Sequence, residues 1–346
     1  MYKIAAFTDL HLKDNESIGG IDELGRNLRT VDKVNYLNEV VKFAIDNHVD
    51  ALFDLGDTFN DNSPSNRLRN IVSKIMLKAL KNNIKVYILG GNHDTNDNVS
   101  FNMMSESNYN ENLIFAKNTT INTNEGIQLK LISWGQDDCI EKMNTITPTI
   151  LFGHLQIEGA HYDNERLAKG FIKPSLLSKF KKVYLGHFHK RQRNDIYTYI
   201  GALSKNNFGE RDNPDGFLYL TLNTGVITEE FISINDRKFY QFEKEIYSED
   251  DIYAHLDSLN IKDNVLKIVY KIPNDLTIHK RKIKEYAKSK NPFDVLIEYE
   301  RDNEKIAVAI EKNLGYKETF DKYNQLNTTP KKYIEVGEGI IKEVFK

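Results

Sequence analysis

Five short polar clusters in this chain each follow an apolar run. Asp9-Leu10-His11 comes after Lys3-Ile4-Ala5-Ala6-Phe7, and Gly56-Asp57 after Ala51-Leu52-Phe53-Asp54-Leu55. Gly91-Asn92-His93-Asp94 comes after Lys85-Val86-Tyr87-Ile88-Leu89. Gly153-His154 and Gly186-His187-Phe188-His189 close two later runs. Carboxylate, carboxamide and imidazole together make a mixed oxygen and nitrogen donor set, which suits manganese, iron or zinc better than calcium. Asp9 and His11 are two residues apart, so in an extended segment their side chains point together. In every cluster but the first a glycine precedes the donor, and glycine allows unusual backbone angles and close approach. A single Asp or His at a strand end is ordinarily a turn or cap residue. Here five of the nine histidines occupy such positions. One aspartate between two ions, with donors on either side, would build a two-metal site ~3.5–4 Å across. The other histidines read as structural: His48 at a helix end, His161 in a polar loop, and His255 and His279 in the later part of the chain.

The elements that must position these donors follow from periodicity. Residues 3–7, 51–55 and 85–89 read as strands. Residues 34–44 and 67–80 carry apolar positions at helical spacing. This β-α-β-α-β order predicts a sheet covered by helices. Further strands are expected at 128–133, 149–152, 182–185, 197–200, 216–222 and 229–234, with fewer helices between them. They suggest a second, more antiparallel sheet packed on the first. The pattern changes around 235–247. A strand at 265–271, a helix at 277–289 and a strand at 293–299 then suggest a small α+β unit. After Gly315 the chain turns helical and polar, with Thr328-Thr329-Pro330 as a helix start. Residues 333–345 have helical apolar spacing interrupted by Gly337 and Gly339. The domains expected are therefore 1–234, 235–314 and a helical tail at 315–346.

Composition bounds the function. The chain has 346 residues, 40% of them apolar and 11% aromatic, enough for about two packed domains. A single cysteine, Cys139, excludes a disulfide framework and a cysteine-rich zinc site. Net charge is −3, from 47 basic and 50 acidic residues, so no global charge draws the chain to nucleic acid or membrane. No apolar run approaches the ~18 residues of a membrane span, and Met1-Tyr2-Lys3-Ile4 opens directly into a strand pattern. A cytoplasmic protein without membrane contact is expected.

The five clusters together, in order and with compatible spacing, resemble the signature of the calcineurin-like metallophosphoesterases. Within that superfamily, Tyr199-Ile200-Gly201-Ala202-Leu203-Ser204, then Phe208-Gly209-Glu210 and Gly216-Phe217, resemble the SbcD-type DNA repair nucleases, a group that includes tailed-phage recombination endonuclease subunits. The resemblance implies a four-layer α-β-β-α sandwich, a small α+β cap and a helical tail. It implies two divalent ions, manganese ahead of iron, zinc or magnesium. Asp9, His11 and His189 would hold one ion and Asn92, His154 and His187 the other, with Asp57 bridging. His93 matches the family's catalytic histidine, and Asp94 would orient it.

The expected activity is DNA hydrolysis, exonucleolytic first and endonucleolytic second. Lys190, Arg191 and Arg193 follow the last ligand block and are candidate phosphate contacts. So are Lys280, Arg281 and Lys284, in a helix with six bases and one acid. In SbcD-type nucleases the C-terminal helices bind an SMC-like ABC ATPase of the SbcC type. Phe320, Tyr323, Tyr333, Ile340, Ile341 and Phe345 are the candidates for that role here. A homodimer through residues 66–80 is also implied, and a phage-encoded chain would work in the bacterial host cytoplasm. Two other readings stand beside this one. One is a phosphoesterase for small phosphodiesters or phosphoproteins. The other is a non-catalytic scaffold on the same fold, which the presence of every ligand and of His93 disfavours.

Overall fold

The structure, a computed structural model, describes residues 1–94, 111–143, 147–170 and 172–301, with 320, 321, 324 and 331–344 of the tail. Two six-stranded sheets lie at its centre. The first is built from β1 (Tyr2–Phe7), β2 (Ala51–Asp54), β3 (Lys85–Ile88), β4 (Leu113–Phe115), β11 (Gly216–Asn223) and β12 (Val226–Ser233), in the order β12-β11-β1-β2-β3-β4. The second contains β5 (Asn118–Asn122), β6 (Gln128–Ile132), β7 (Thr149–His154), β8 (Lys182–Gly186), β9 (Gln192–Arg193) and β10 (Thr198–Tyr199), in the order β5-β6-β7-β8-β10-β9.

The expected second sheet needs correction on two points. The strands at 216–223 and 226–233 belong to the first sheet, because β11 pairs antiparallel with β1 across the whole sequence. The second sheet is also no more antiparallel than the first. β6, β7, β8 and β10 run parallel, and only its two outer pairings are antiparallel. Periodicity identifies a strand but carries no information about its partner.

The sheets face each other over a buried layer that includes Ile4, Phe53 and Tyr87 from one and Leu129, Phe152 and Tyr184 from the other. Helices α1 (Leu28–Asp46) and α2 (Asn66–Lys81) cover the outer face of the first sheet. Asn27 caps α1 by accepting from the Arg29 and Thr30 amides, and Ser65 caps α2. The apolar face of α2, with Leu68, Val72, Ile75 and Met76, is spent on this core. It is therefore not left over for a dimer contact. The outer face of the second sheet is covered more thinly, by α3 (Asp138–Lys142) and a 3-10 turn at Pro174–Leu177.

After residue 235 the chain builds a separate small core. β13 (Phe239–Glu245), α4 (Glu249–Ser258), β14 (Val265–Ile272), α5 (Lys280–Ser289) and β15 (Asp294–Arg301) form a β-α-β-α-β unit whose three strands are all parallel. In the tail, α6 (Lys331–Val344) runs through Gly337. The ring of Phe320 packs at that glycine, where an added Cβ would lie 2.3 Å from its Cζ. Tyr333, Val336 and Ile340 are exposed on α6, while Tyr323 and Phe345 lie outside the described residues.

A buried ion pair joins the two units. The Arg29 guanidinium donates to Asp236 Oδ1 (2.6 Å) and Oδ2 (2.8 Å) and to the Lys205 carbonyl. Tyr36 and the Lys205 amide also donate to Asp236. Next to it, Arg237 pairs with Asp32 and stacks 3.6 Å over Phe293, and the Gly19 amide donates to Asp294. Removing one partner of a buried pair strands the other, at a cost of roughly 3–5 kcal/mol. Arg29→Met is therefore expected to lower unfolding stability by about that amount, read as a shift in denaturant midpoint. A shift worth less than about 1 kcal/mol would show that the pair is not what fixes the joint.

Candidate metal centre

β1, β2 and β3 run parallel in one sheet, and β7 and β8 run parallel in the other. Parallel strands deliver their carboxyl ends to one edge, and the donors sit just past those ends. Asp9 and His11 follow β1, Asp57 follows β2, and Asn92 follows β3. His154 ends β7, and His187 and His189 follow β8. The structure brings all seven together.

They form two groups around one carboxylate. Asp57 Oδ2 lies 3.6 Å from His11 Nε2 and 3.4 Å from His154 Nε2. On one side, His11 Nε2 is 3.8 Å from Asp9 Oδ1 and 3.0 Å from His189 Nε2. On the other, Asn92 Oδ1 is 3.1 Å from His154 Nε2 and 2.7 Å from His187 Nδ1. Two ring nitrogens aimed at each other at 3.0 Å, flanked by carboxylates, are a donor set that a shared cation satisfies. These residues fit two divalent ions with Asp57 between them.

The imidazoles are oriented from behind. His154 Nδ1 faces the Leu55 carbonyl at 2.8 Å, and His189 Nδ1 faces Glu210 Oε1 at 2.8 Å. Both acceptors hold the proton on Nδ1 and leave Nε2 for an ion. For His187 the arrangement is reversed. Its Nε2 faces Gln156 Oε1 at 3.1 Å, so Nδ1 is the free donor. Glu210 and Gln156 were not found from sequence as positioning residues. Glu210 is a fully buried acid in the Phe208-Gly209-Glu210 segment, so its position after the strands was the available signal. Gln156 lies two residues after His154, the spacing that also links Asp9 to His11.

The backbone is strained here. Asp9, His11, Asp57 and His187 all have positive φ, at 54°, 48°, 54° and 98°. Such values cost on the order of 1–3 kcal/mol each and cluster at functional sites. The glycines are required by close approach. A Cβ on Gly91 would lie 2.0 Å from Asp57 Oδ1, and one on Gly56, itself at φ 101°, 2.7 Å from the Gly91 amide.

His93 borders the first group, with its ring 4.8 Å from that of His11. Its amide donates to Asp57 Oδ1, and its Nδ1 lies 2.9 Å from the Asn60 carbonyl. The expected role of Asp94 is corrected. Asn60, not Asp94, meets the His93 ring. The buried Asp94 carboxylate accepts from the Gly91, Asp57 and Phe59 amides, so it holds the ligand loops together. Burial, with Asp57 nearby, pushes Asp94 up to about 6. Asp54 acts similarly under β2, accepting from Thr58 and the Gly56 amide, and burial pushes it up to about 8.

The three cations after His189 are engaged within the chain. Lys190 pairs with Glu165, Arg193 with Glu229, and Arg191 stacks 4.2 Å from the Phe231 ring. Arg191 and Arg193 are thus held against β12. None of His48, His161, His255 and His279 joins the donor groups among the described residues.

Burial is the largest single influence and lowers the His154 pKa, but the Asp57 charge and hydrogen bond, with the Asp9 charge, together outweigh it and raise it to about 9. For His189 the Glu210 hydrogen bond and charge likewise outweigh burial, again giving about 9. Burial lowers His187 to about 3. The raised pair stabilises the metal-free fold fully below pH 6.5, and that contribution is lost as pH rises through 9. His187 acts oppositely, its contribution being lost as pH falls from 6.5 towards 3. Manganese, which needs the bare nitrogens, should raise Tm by an increment that grows from pH 6.5 to 9. A manganese increment that stays flat across that range would contradict the assignment of His154 and His189 as ligands.

The family model for calcineurin-like phosphoesterases matches residues 2–191. Among solved structures, a dimetal phosphatase from Danio rerio is 13% identical, covering 67% of this chain and 96% of its own, with a TM-score of 0.44. A protein from Thermus thermophilus is 10% identical, over 66% and 98%, at 0.42. An archaeal phosphodiesterase is 14% identical, over 66% and 99%, at 0.36. The assignment rests on the family match, which spans more than half the chain and contains every donor residue. This chain belongs to the calcineurin-like metallophosphoesterases, hydrolases that cleave phosphate esters at a two-metal centre.

Proposed function

We propose that this chain is a manganese-dependent DNA nuclease, exonucleolytic first and endonucleolytic second, working as the nuclease subunit beside an SMC-like ATPase. The observation that carries the reading is the solvent face of α5. Only Ile283 and Ala287 of that helix are buried, and Lys280, Arg281, Lys282, Lys284 and Lys288 are exposed. Arg281 reaches Glu285, the one acid on the helix. A small-molecule phosphoesterase has no use for such a face on a separate β-α-β-α-β unit. The exposed Tyr333, Val336 and Ile340 on α6 suit a helical partner, and we assign them to the ATPase contact. A homodimer would use a surface other than the apolar face of α2.

When bound, two divalent ions supply Lewis acidity that offsets the phosphodiester charge and makes water nucleophilic near neutral pH. The chain's own residues do the rest. Asp9, Asp57, Asn92 and the four ligand histidines fix the ions' places. His93 is aimed by Asp57 and Asn60. A carbonyl can only accept, so the Asn60 contact keeps a proton on Nδ1 and leaves Nε2 to hold or release one at the leaving oxygen.

The test is digestion of end-labelled duplex DNA by the purified chain with manganese. His93→Asn should reduce turnover by about 10²–10⁴-fold with little change in DNA affinity, and a chelator should abolish cleavage. Cleavage that survives in His93→Asn would remove that residue from the chemistry. Replacing Lys280, Arg281 and Lys284 together by alanine should weaken duplex binding for all sequences alike. It should also reduce the slope of log affinity against log salt by about one unit per lost phosphate contact. An unchanged slope would take DNA off this face.

A further inference from the structure

Lys33 is a charged side chain sealed in the interior that the metal chemistry does not use. It lies one turn after Arg29 on α1 and is 1% exposed. Its ammonium has three donors and meets three acceptors: the His11 carbonyl (3.0 Å), Glu16 Oε1 (2.7 Å) and Asn206 Oδ1 (2.7 Å). A buried charge is tolerated where it is paired and hydrogen-bonded, and Glu16 supplies the countercharge. With all three donors taken, Lys33 has none to offer a substrate. It holds together the three segments it touches.

Two of those contacts lead to the same ion site. His11 is held directly, at the carbonyl of a residue whose φ is 48°. His189 is reached through a relay. The Asn206 amide donates to Glu210 Oε2 (2.8 Å), and Glu210 Oε1 faces His189 Nδ1 (2.8 Å). Asn207 Nδ2 donates to that Oε1 (2.6 Å), so the carboxylate is fixed at both oxygens. His11 and His189 thus hang from one ammonium, and theirs are the two ring nitrogens that point at each other across 3.0 Å. The second group is supported from elsewhere, His154 by the Leu55 carbonyl and His187 by Gln156.

We propose that Lys33 is a positioning residue for one ion of the pair, the one held by Asp9, His11 and His189. It sets the separation of the two imidazoles from behind and leaves the site of Asn92, His154 and His187 to its own supports. This rests on the metal assignment and is independent of DNA as the substrate. Partners that orient ligands from behind are worth about 10–100-fold in metal affinity. Because Lys33 acts on one group, that loss falls on one ion.

The test is manganese titration of the full-length chain by calorimetry, with electron paramagnetic resonance to follow the coupled pair. Removing Lys33 alone would strand Glu16, so the variant is Lys33→Met combined with Glu16→Gln. It should weaken one binding step by about 10–100-fold and keep the other within about threefold. The coupled signal should then be lost at manganese concentrations that saturate the wild type. Glu16→Gln alone keeps an acceptor for Lys33 and should leave both steps within about threefold of wild type. His189→Ala removes the ion in question, so in that background the paired substitution should not weaken the ion that remains. A merely structural lysine would weaken both steps together. Two weakened steps, or none, in the Lys33 variant overturn the proposal. Asn206→Ala cuts only the relay and should weaken the same step by a smaller factor. Wild-type affinities in that variant also overturn the proposal, and this arm needs no substitution at a buried charge. A wild-type chain whose ion binding is unaffected by His189→Ala removes the metal assignment and the proposal with it.

Discussion

Asp57 is the residue on which the rest of the site depends. Its Oδ2 stands between His11 and His154, within 3.6 Å of both, inside a nearly dry interior. A carboxylate there is tolerable only where positive charge surrounds it. In the metal-free chain a protonated His154 supplies that charge and keeps Asp57 below the usual carboxylate range. Asp9 and Asp94 share the same small volume, and burial pushes both upward. Four of the residues at this edge accept positive φ, and Gly56 and Gly91 give up their side chains so that two loops can touch. A fold whose ligand loops carry this much electrostatic and backbone cost is one arranged around cations.

The donors were legible in the sequence because each follows an apolar strand, and a strand's end is a local property. The residues that orient them were not. Gln156 and Glu210 act through contacts set by where β7 and the turn at Phe208–Glu210 pack. The sheet assignment failed for the same reason, since β11 pairs with β1 from the opposite end of the catalytic unit. β5, with the sequence Asn-Thr-Thr-Ile-Asn, is a half-exposed edge and gives little apolar signal. α4 could have been found, because Ser248 and Asp251 form a capping box at its start. Gly337 reads as a break in the tail helix, but it is the place where Phe320 packs.

The small unit after residue 235 is tied to the catalytic one through charge as well as apolar contact. Arg29, buried in α1, holds Asp236 at the first turn out of the first sheet, and Arg237 bridges to Asp32 while lying on Phe293. Lys33, one turn along α1 from Arg29, donates to the His11 carbonyl, to Glu16 and to Asn206. The same helix therefore supports both a ligand loop and the joint to the small unit. That coupling gives a physical route by which the position of the basic α5 face and the geometry of the metal centre stay in register.

The most direct test of the account is the number and coupling of ions held by the purified chain. Manganese titration, followed by calorimetry and electron paramagnetic resonance, should give two ions per chain with the signature of a spin-coupled pair. Asp57→Ala should lose that coupling. A single uncoupled ion in the wild-type chain, or coupling that persists without Asp57, would contradict the bridge and the two-metal chemistry built on it.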